Sequence, residues 1–265
     1  MEWDWILWGG LFLIAAFFLA TRFWLRVDDL SHHEEPVEPH IYPRSAPSDG
    51  YHRAVNVLVD MNNAVQANGR RNRLRTLRKE MDRLGHNKEG DCQLISDNAE
   101  GVPGEWMIAP DANVKRRVLY LHGGAFMMGS PKSHRSITHQ FSKRLNAAVF
   151  TPDYRLMPEH KRLDCLLDCQ TTYHWILENG PFKKTEPDEL VVAGDSAGGC
   201  LALTTIAWAR DENLRKANAV IALSPITDLT FSGRTMATNA STDLMLKSLL
   251  GHVHKVPKPL VLWTS

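Results

Sequence analysis

The residues best suited to chemistry sit where a strand-like run meets a helix-like run: Glu189-Leu-Val-Val-Ala-Gly194-Asp195-Ser196-Ala197-Gly198-Gly199. Small residues on both sides of Ser196 permit a turn tight enough to hold the serine in a strained conformation with its Oγ exposed. A helix that begins at once points backbone N–H groups, and the positive end of its dipole, at developing negative charge. These are the requirements for attack by a serine on an acyl carbonyl. Ser196 is therefore the candidate nucleophile, and the N–H of Ala197 a candidate donor to the resulting oxyanion. A plain glycine turn would not account for the strand before it, the helix after it or the extra Gly199.

A second glycine cluster closes another apolar run, Val118-Leu-Tyr-Leu-His122-Gly123-Gly124-Ala125-Phe126. An oxyanion needs preorganised donors, and glycines let the backbone supply them without obstruction. The N–H groups of Gly123 and Gly124 are the expected partners of the Ala197 N–H. His122 precedes the donors instead of facing the nucleophile, so it reads as a residue that shapes the loop. Asp195, beside the serine, reads the same way.

Both clusters must be carried by a sheet. Short apolar runs at 91–96, 104–109, 117–121, 147–151, 189–194 and 218–223 predict strands, and 132–145, 162–178, 197–210 and 242–250 predict helices. Strands that alternate with helices argue a mostly parallel sheet covered on both faces. Ahead of them, Val55, Leu58, Val59, Met61 and Val65 are spaced as on a helix; an Asn68-Gly69 break follows, and then a basic helix with Leu74, Leu77, Met81 and Leu84. Its run of Arg70, Arg71, Arg73, Arg75, Arg78 and Lys79 reads as a solvated face, or as a contact for anionic lipid headgroups.

The motifs resemble the hormone-sensitive lipase-like family of esterases. The resemblance rests on His122–Phe126 with Ser130, Ser133 and His134 downstream, and on Gly194–Gly199. It extends to the segment Asp153-Tyr-Arg-Leu-Met-Pro-Glu-His160 and to Ser224-Pro225 with Asp228-Leu229-Thr230. It covers roughly residues 90–245. It implies an α/β-hydrolase fold and a carboxylic ester hydrolase that acts on small acyl esters with no metal or cofactor. It also implies that the helices before residue 90 form part of a cap over the site.

The chain departs from that pattern near its end. The fold supplies its triad in the order Ser…Asp/Glu…His, and the acid and histidine loops of the family find no match before Ser265. The segment Pro259–Trp263 could serve as one further strand. His252 and His254, with Asp228 or Asp243, are substitutes in a segment unlike the family's. The expectation is thus an α/β-hydrolase core over 89–265 that lacks its C-terminal strands. The alternative to an active enzyme is an impaired or inactive chain that serves as a non-catalytic acyl-binding module.

From Trp5 to Thr21 there is no charged residue. The run has tryptophans near both ends, is followed by Arg22 and Arg26, and is close to the shortest length that spans a bilayer, about 17–25 residues. It predicts a single transmembrane anchor over 5–25 that contacts membrane lipid. With no Lys or Arg before it, the positive-inside rule places the catalytic domain in the cytoplasm. Residues 28–50 read as a proline-rich linker and 51–88 as the helical cap segment. A net charge of +1 gives no reason to expect nucleic acid. The four cysteines, at 92, 165, 169 and 200, include no C-x-x-C pair, so a zinc ribbon is not expected.

Overall fold

The computed structural model describes residues 46–229, with Ala16, Phe17, Leu19 and Thr238. Among the described residues no helix is long and apolar enough to cross a membrane. The anchor expected over 5–25 lies outside the described residues apart from Ala16, Phe17 and Leu19, which are exposed. The linker up to residue 45, the helix expected over 242–250, the strand expected at 259–263, Asp243, His252 and His254 also lie outside them.

Helix α1 (Asp49–Gln66) and helix α2 (Arg73–Leu84) flank a short 3-10 turn at Arg70–Asn72. The break falls at Asn68-Gly69, as the spacing predicts. Val55, Leu58, Met61 and Val65 are half-buried, whereas Val59 is exposed. The strands follow: β1 (Gln93–Ala99), β2 (Val102–Ile108), β3 (Asn113–Leu121), β4 (Ala147–Pro152), β5 (Glu189–Asp195) and β6 (Ala219–Leu223). Helices α3 (Arg135–Leu145), α4 (Arg162–Ile176) and α5 (Ala197–Asp211) connect the later strands. The sheet order is β1-β2-β4-β3-β5-β6. Pairings β4–β3–β5–β6 are parallel, and β2 runs antiparallel to both β1 and β4.

The first hairpin turns through Glu100 and Gly101 alone, at φ 51° and 101°. Two successive positive φ values make the two-residue turn that suits strand twist. The turn extends β1 to Ala99, beyond the span that the apolar run predicts. Alternation then divides β3 between two cores. Leu119 and Leu121 point into one with Trp106, Phe150 and Trp175, whose rings lie 4.9–5.9 Å apart between centroids. Val118 and Tyr120 point to the other, where Ile137, Phe141 and Leu145 of α3 cover them.

Helix α2 is tied to two loops beside the sheet by one residue of its basic run. Arg78 donates to the Met127 carbonyl at 2.7 Å and the Met157 carbonyl at 2.9 Å. It also makes a two-pronged pair with Glu159, at 2.8 and 2.7 Å. A guanidinium can serve all four acceptors because its donors form a planar fork. Arg78 therefore clamps two loops to the helix, and the reading of the whole run as a solvated face does not hold at this position. Ser130 adds a hydrogen bond to Asp82 at 2.5 Å.

The Arg78 hydrogen bond draws the Glu159 carboxyl from 4.5 down to about 2. A depressed carboxyl adds stability that is complete above its unfolded value and is lost as pH falls through the folded one. Arg78→Ala should lower stability by about 1–2 kcal/mol in a denaturant titration at neutral pH. Glu159→Gln should flatten the loss of stability between pH 4.5 and about 2. A variant profile as steep as the native one would count against the clamp.

Candidate active site

Ser196 stands between β5 and α5 at φ 53°, ψ −118°, a conformation that L-residues seldom adopt. The geometry around it explains the small residues of the motif. A Cβ on Gly194 would run into the Gly198 carbonyl, and one on Gly198 into the Leu121 and His122 carbonyls. The elbow is therefore packed directly on the end of β3. Ser196 N–H donates to the Leu223 carbonyl at 2.9 Å, and its own carbonyl accepts from Ile226 N–H at 3.1 Å. The serine backbone is thus fixed from the β6 side as well.

Asp195 joins the elbow to the glycine loop. Its Oδ1 accepts from Tyr120 Oη at 2.8 Å and from Gly123 N–H at 2.9 Å, and His134 Nε2 lies 3.4 Å away. Burial pushes the Asp195 carboxyl up, but hydrogen bonds from His134, Tyr120 and the Gly123 N–H outweigh it and hold the pKa below the usual Asp value. The Gly123 N–H, expected from its position to face an oxyanion, is thus already donated to Asp195. The N–H groups of Gly124 and Ala125 find no acceptor among the described residues. The loop there is unusual: Gly124, Ala125 and Phe126 have φ 131°, 54° and 60°. The Ala197 N–H opens a helix, where no intrahelical acceptor exists for it.

His122 is fully buried and stacks on Tyr154 with ring centroids 4.1 Å apart. Its Nδ1 lies 3.0 Å from the Gly123 carbonyl. A carbonyl only accepts, so Nδ1 carries the proton and Nε2 is a bare acceptor with no partner among the described residues. Burial, and then His134, bring this imidazole down to about 3, so it is neutral at physiological pH. The Tyr154 hydroxyl donates to the His122 carbonyl at 2.6 Å. His122 is thus walled in by Tyr154 and the Gly123 carbonyl. Among the described residues no side chain hydrogen-bonds to Ser196 Oγ. The substitutes His252 and His254 lie outside the described residues.

Sequence reasoning missed Tyr120, Tyr154 and Arg78 as parts of the site, and took His134 only as part of a motif. Tyr120 could have been found from strand alternation, which puts it on one face of β3 near its C-terminal end. No spacing rule pairs it with a carboxylate 75 residues later.

A strand–elbow–helix serine beside a glycine loop at the end of the neighbouring parallel strand defines an α/β hydrolase. The alpha/beta hydrolase fold family matches residues 118–257, and the chain belongs to that family, in its hormone-sensitive lipase-like branch. It is 39% identical over 130 residues to the carboxylesterase/phospholipase LipF of Mycobacterium tuberculosis, covering 49% of this chain and 34% of LipF. It is 38% identical over 138 residues to esterase LipU of the same organism, covering 52% of this chain and 45% of LipU. The chain thus spans less than half the length of these curated relatives. Among solved structures it is similar to an esterase from the bacterial hormone-sensitive lipase family, with TM-score 0.69 and 28% identity over 79% of this chain and 68% of that one.

Asp195→Ala should leave the Tyr120 hydroxyl and the Gly123 N–H unpaired and destabilise the chain by about 2–4 kcal/mol in a denaturant titration. Asp195→Asn keeps an acceptor and should cost less. The Asp195 carboxylate is held low, so its contribution is present above the ordinary Asp range and fades as the solution is acidified below it. Equal stability of Asp195→Ala and the native chain would remove the carboxylate from its place as the joint of the site.

Proposed function

We propose that this chain is the nucleophile-bearing part of a carboxylic ester hydrolase that acts on small acyl esters. The observation that carries this reading is the positive-φ Ser196 between β5 and α5, set beside a loop whose Gly124 and Ala125 N–H groups have no acceptor among the described residues. The Oγ of Ser196 attacks the acyl carbon and its proton passes to a base. The carbonyl oxygen takes up the negative charge. Collapse expels the alcohol, which takes the proton. Water then attacks the acyl-serine and passes one proton to the base; the acid leaves as Ser196 Oγ takes that proton back. The oxyanion is held by the N–H groups of Gly124, Ala125 and Ala197, while Gly123 holds the loop in place through Asp195. Each such donor is worth about 10²–10³ in rate where it has been removed.

The printed names of LipF and LipU support the ester substrate class. A non-catalytic acyl-binding module is the weaker reading. A binding module has no need of a serine held in a strained elbow. The uncharged run Trp5–Thr21 supports a tether to membrane lipid.

The full chain should be labelled by a fluorophosphonate probe and should hydrolyse a short-chain nitrophenyl ester, and both signals should vanish in Ser196→Ala. Equal labelling and equal rates in the two proteins would sink catalysis by this serine. For the tether, the full chain should stay in the membrane pellet through a carbonate wash, while a chain beginning at residue 28 should be released. Release of both would remove the anchor.

A further inference from the structure

Three donors of mixed chemistry meet outside the hydrolase motifs. Asp91 and Cys92 lie in the turn before β1, and His139 lies on α3. One carboxylate oxygen, the thiol sulfur and one imidazole nitrogen all fall within 4.8 Å of one another. His139 Nε2 is buried without a hydrogen-bond partner among the described residues and stands 3.8 Å from Asp91 Oδ1. Gly90, at φ +60°, packs against this nitrogen, and a Cβ there would come within 2.9 Å of it. The glycine therefore keeps the space in front of Nε2 clear.

We propose that Asp91, Cys92 and His139 form a binding site for a borderline-soft divalent cation of the zinc class. Sulfur, imidazole nitrogen and carboxylate oxygen together suit such an ion and do not suit magnesium or calcium, which take oxygen ligands. Bonds of 2.0–2.3 Å around a tetrahedral ion put its ligands about 3.3–3.8 Å apart. The His139–Asp91 separation of 3.8 Å needs to close by about 0.5 Å at most, and the separations that involve sulfur, none above 4.8 Å, by about 1.3 Å at most. Three protein ligands leave a fourth position for water.

Two neighbours respond to the ion. Lys143 Nζ holds Asp91 Oδ1 at 2.8 Å and supplies the positive charge that a cation would replace. The side-chain amide of Gln140 donates to His139 Nδ1 at 3.3 Å while its oxygen accepts from Arg144. Ligation through Nε2 moves the ring proton to Nδ1, and the exposed Gln140 amide turns to accept it. The thiol proton of Cys92 leaves to solvent as the metal–sulfur bond forms.

The test is a titration of the metal-free full chain with Cd2+, read by the near-ultraviolet charge-transfer band of a cadmium thiolate, with Zn2+ added as competitor. The proposal expects one equivalent of Cd2+, displaced by Zn2+ and untouched by Mg2+. It expects no band in Cys92→Ser, affinity at least about 10-fold weaker in His139→Gln, and tighter binding in Lys143→Met. Lys143 is a half-exposed surface residue. If Cys92→Ser fails to fold, the His139 and Lys143 variants still decide the question. No band in the native chain would overturn the proposal. So would a band that survives Cys92→Ser but is lost in Cys200→Ser or Cys165→Ser. A band lost in Cys92→Ser but unchanged in both His139→Gln and Lys143→Met would show a lone thiol and would overturn it too.

Discussion

The close approach of α5 to the end of β3 is the constraint on which the site depends. The carbonyls of Leu121 and His122 lie where a side chain at 198 would have to go, and the Gly198 carbonyl lies where one at 194 would go. Two glycines let the helix start flush against the sheet, and the serine between them is forced to positive φ. The strain at Ser196 is thus a result of packing, and the surrounding structure over-determines it. The same contact brings the carboxylate of Asp195 against the glycine loop. There it accepts the Gly123 N–H and fixes the path of the residues that follow.

That path has a further anchor from outside the sheet. Arg78 reaches from α2 to the Met127 carbonyl just past the glycine loop and to the Met157 carbonyl of the next motif. Met157 in turn donates its N–H to the Phe126 carbonyl at 2.8 Å. The loop is therefore held at its start by Asp195 and at its end by a charge from α2. Helix α2 and the loop share one guanidinium, so α2 takes part in positioning the site.

The parts legible in the sequence were those set by local rules. The strand–glycine–serine–glycine–helix joint announces itself because only small residues pass through it. The six strands and the three helices between them follow from apolar runs of different length, with ends shifted by a few residues where turn chemistry intervened, as at Glu100-Gly101. Illegible were the pairings that no spacing encodes. The choice of Arg78 among six basic residues of one run depends on which side of α2 meets the loops. The Tyr120–Asp195 bond depends on β3 and β5 lying side by side, a fact of sheet order and not of composition.

The backbone N–H groups of the glycine loop show the difference most clearly. From residue types, Gly123 and Gly124 are equivalent, since both lack a side chain that would block approach. They diverge once the carboxylate beside the serine is placed, because Asp195 Oδ1 takes the Gly123 N–H. A donor already bonded to a carboxylate cannot turn to a substrate without leaving that carboxylate short of a partner. The N–H groups with no acceptor among the described residues therefore lie one residue onward, at Gly124 and Ala125. Ala125 holds a positive φ that its side chain disfavours. A non-glycine residue kept at φ 54° is the kind of local cost that folded chains retain where the backbone itself must act.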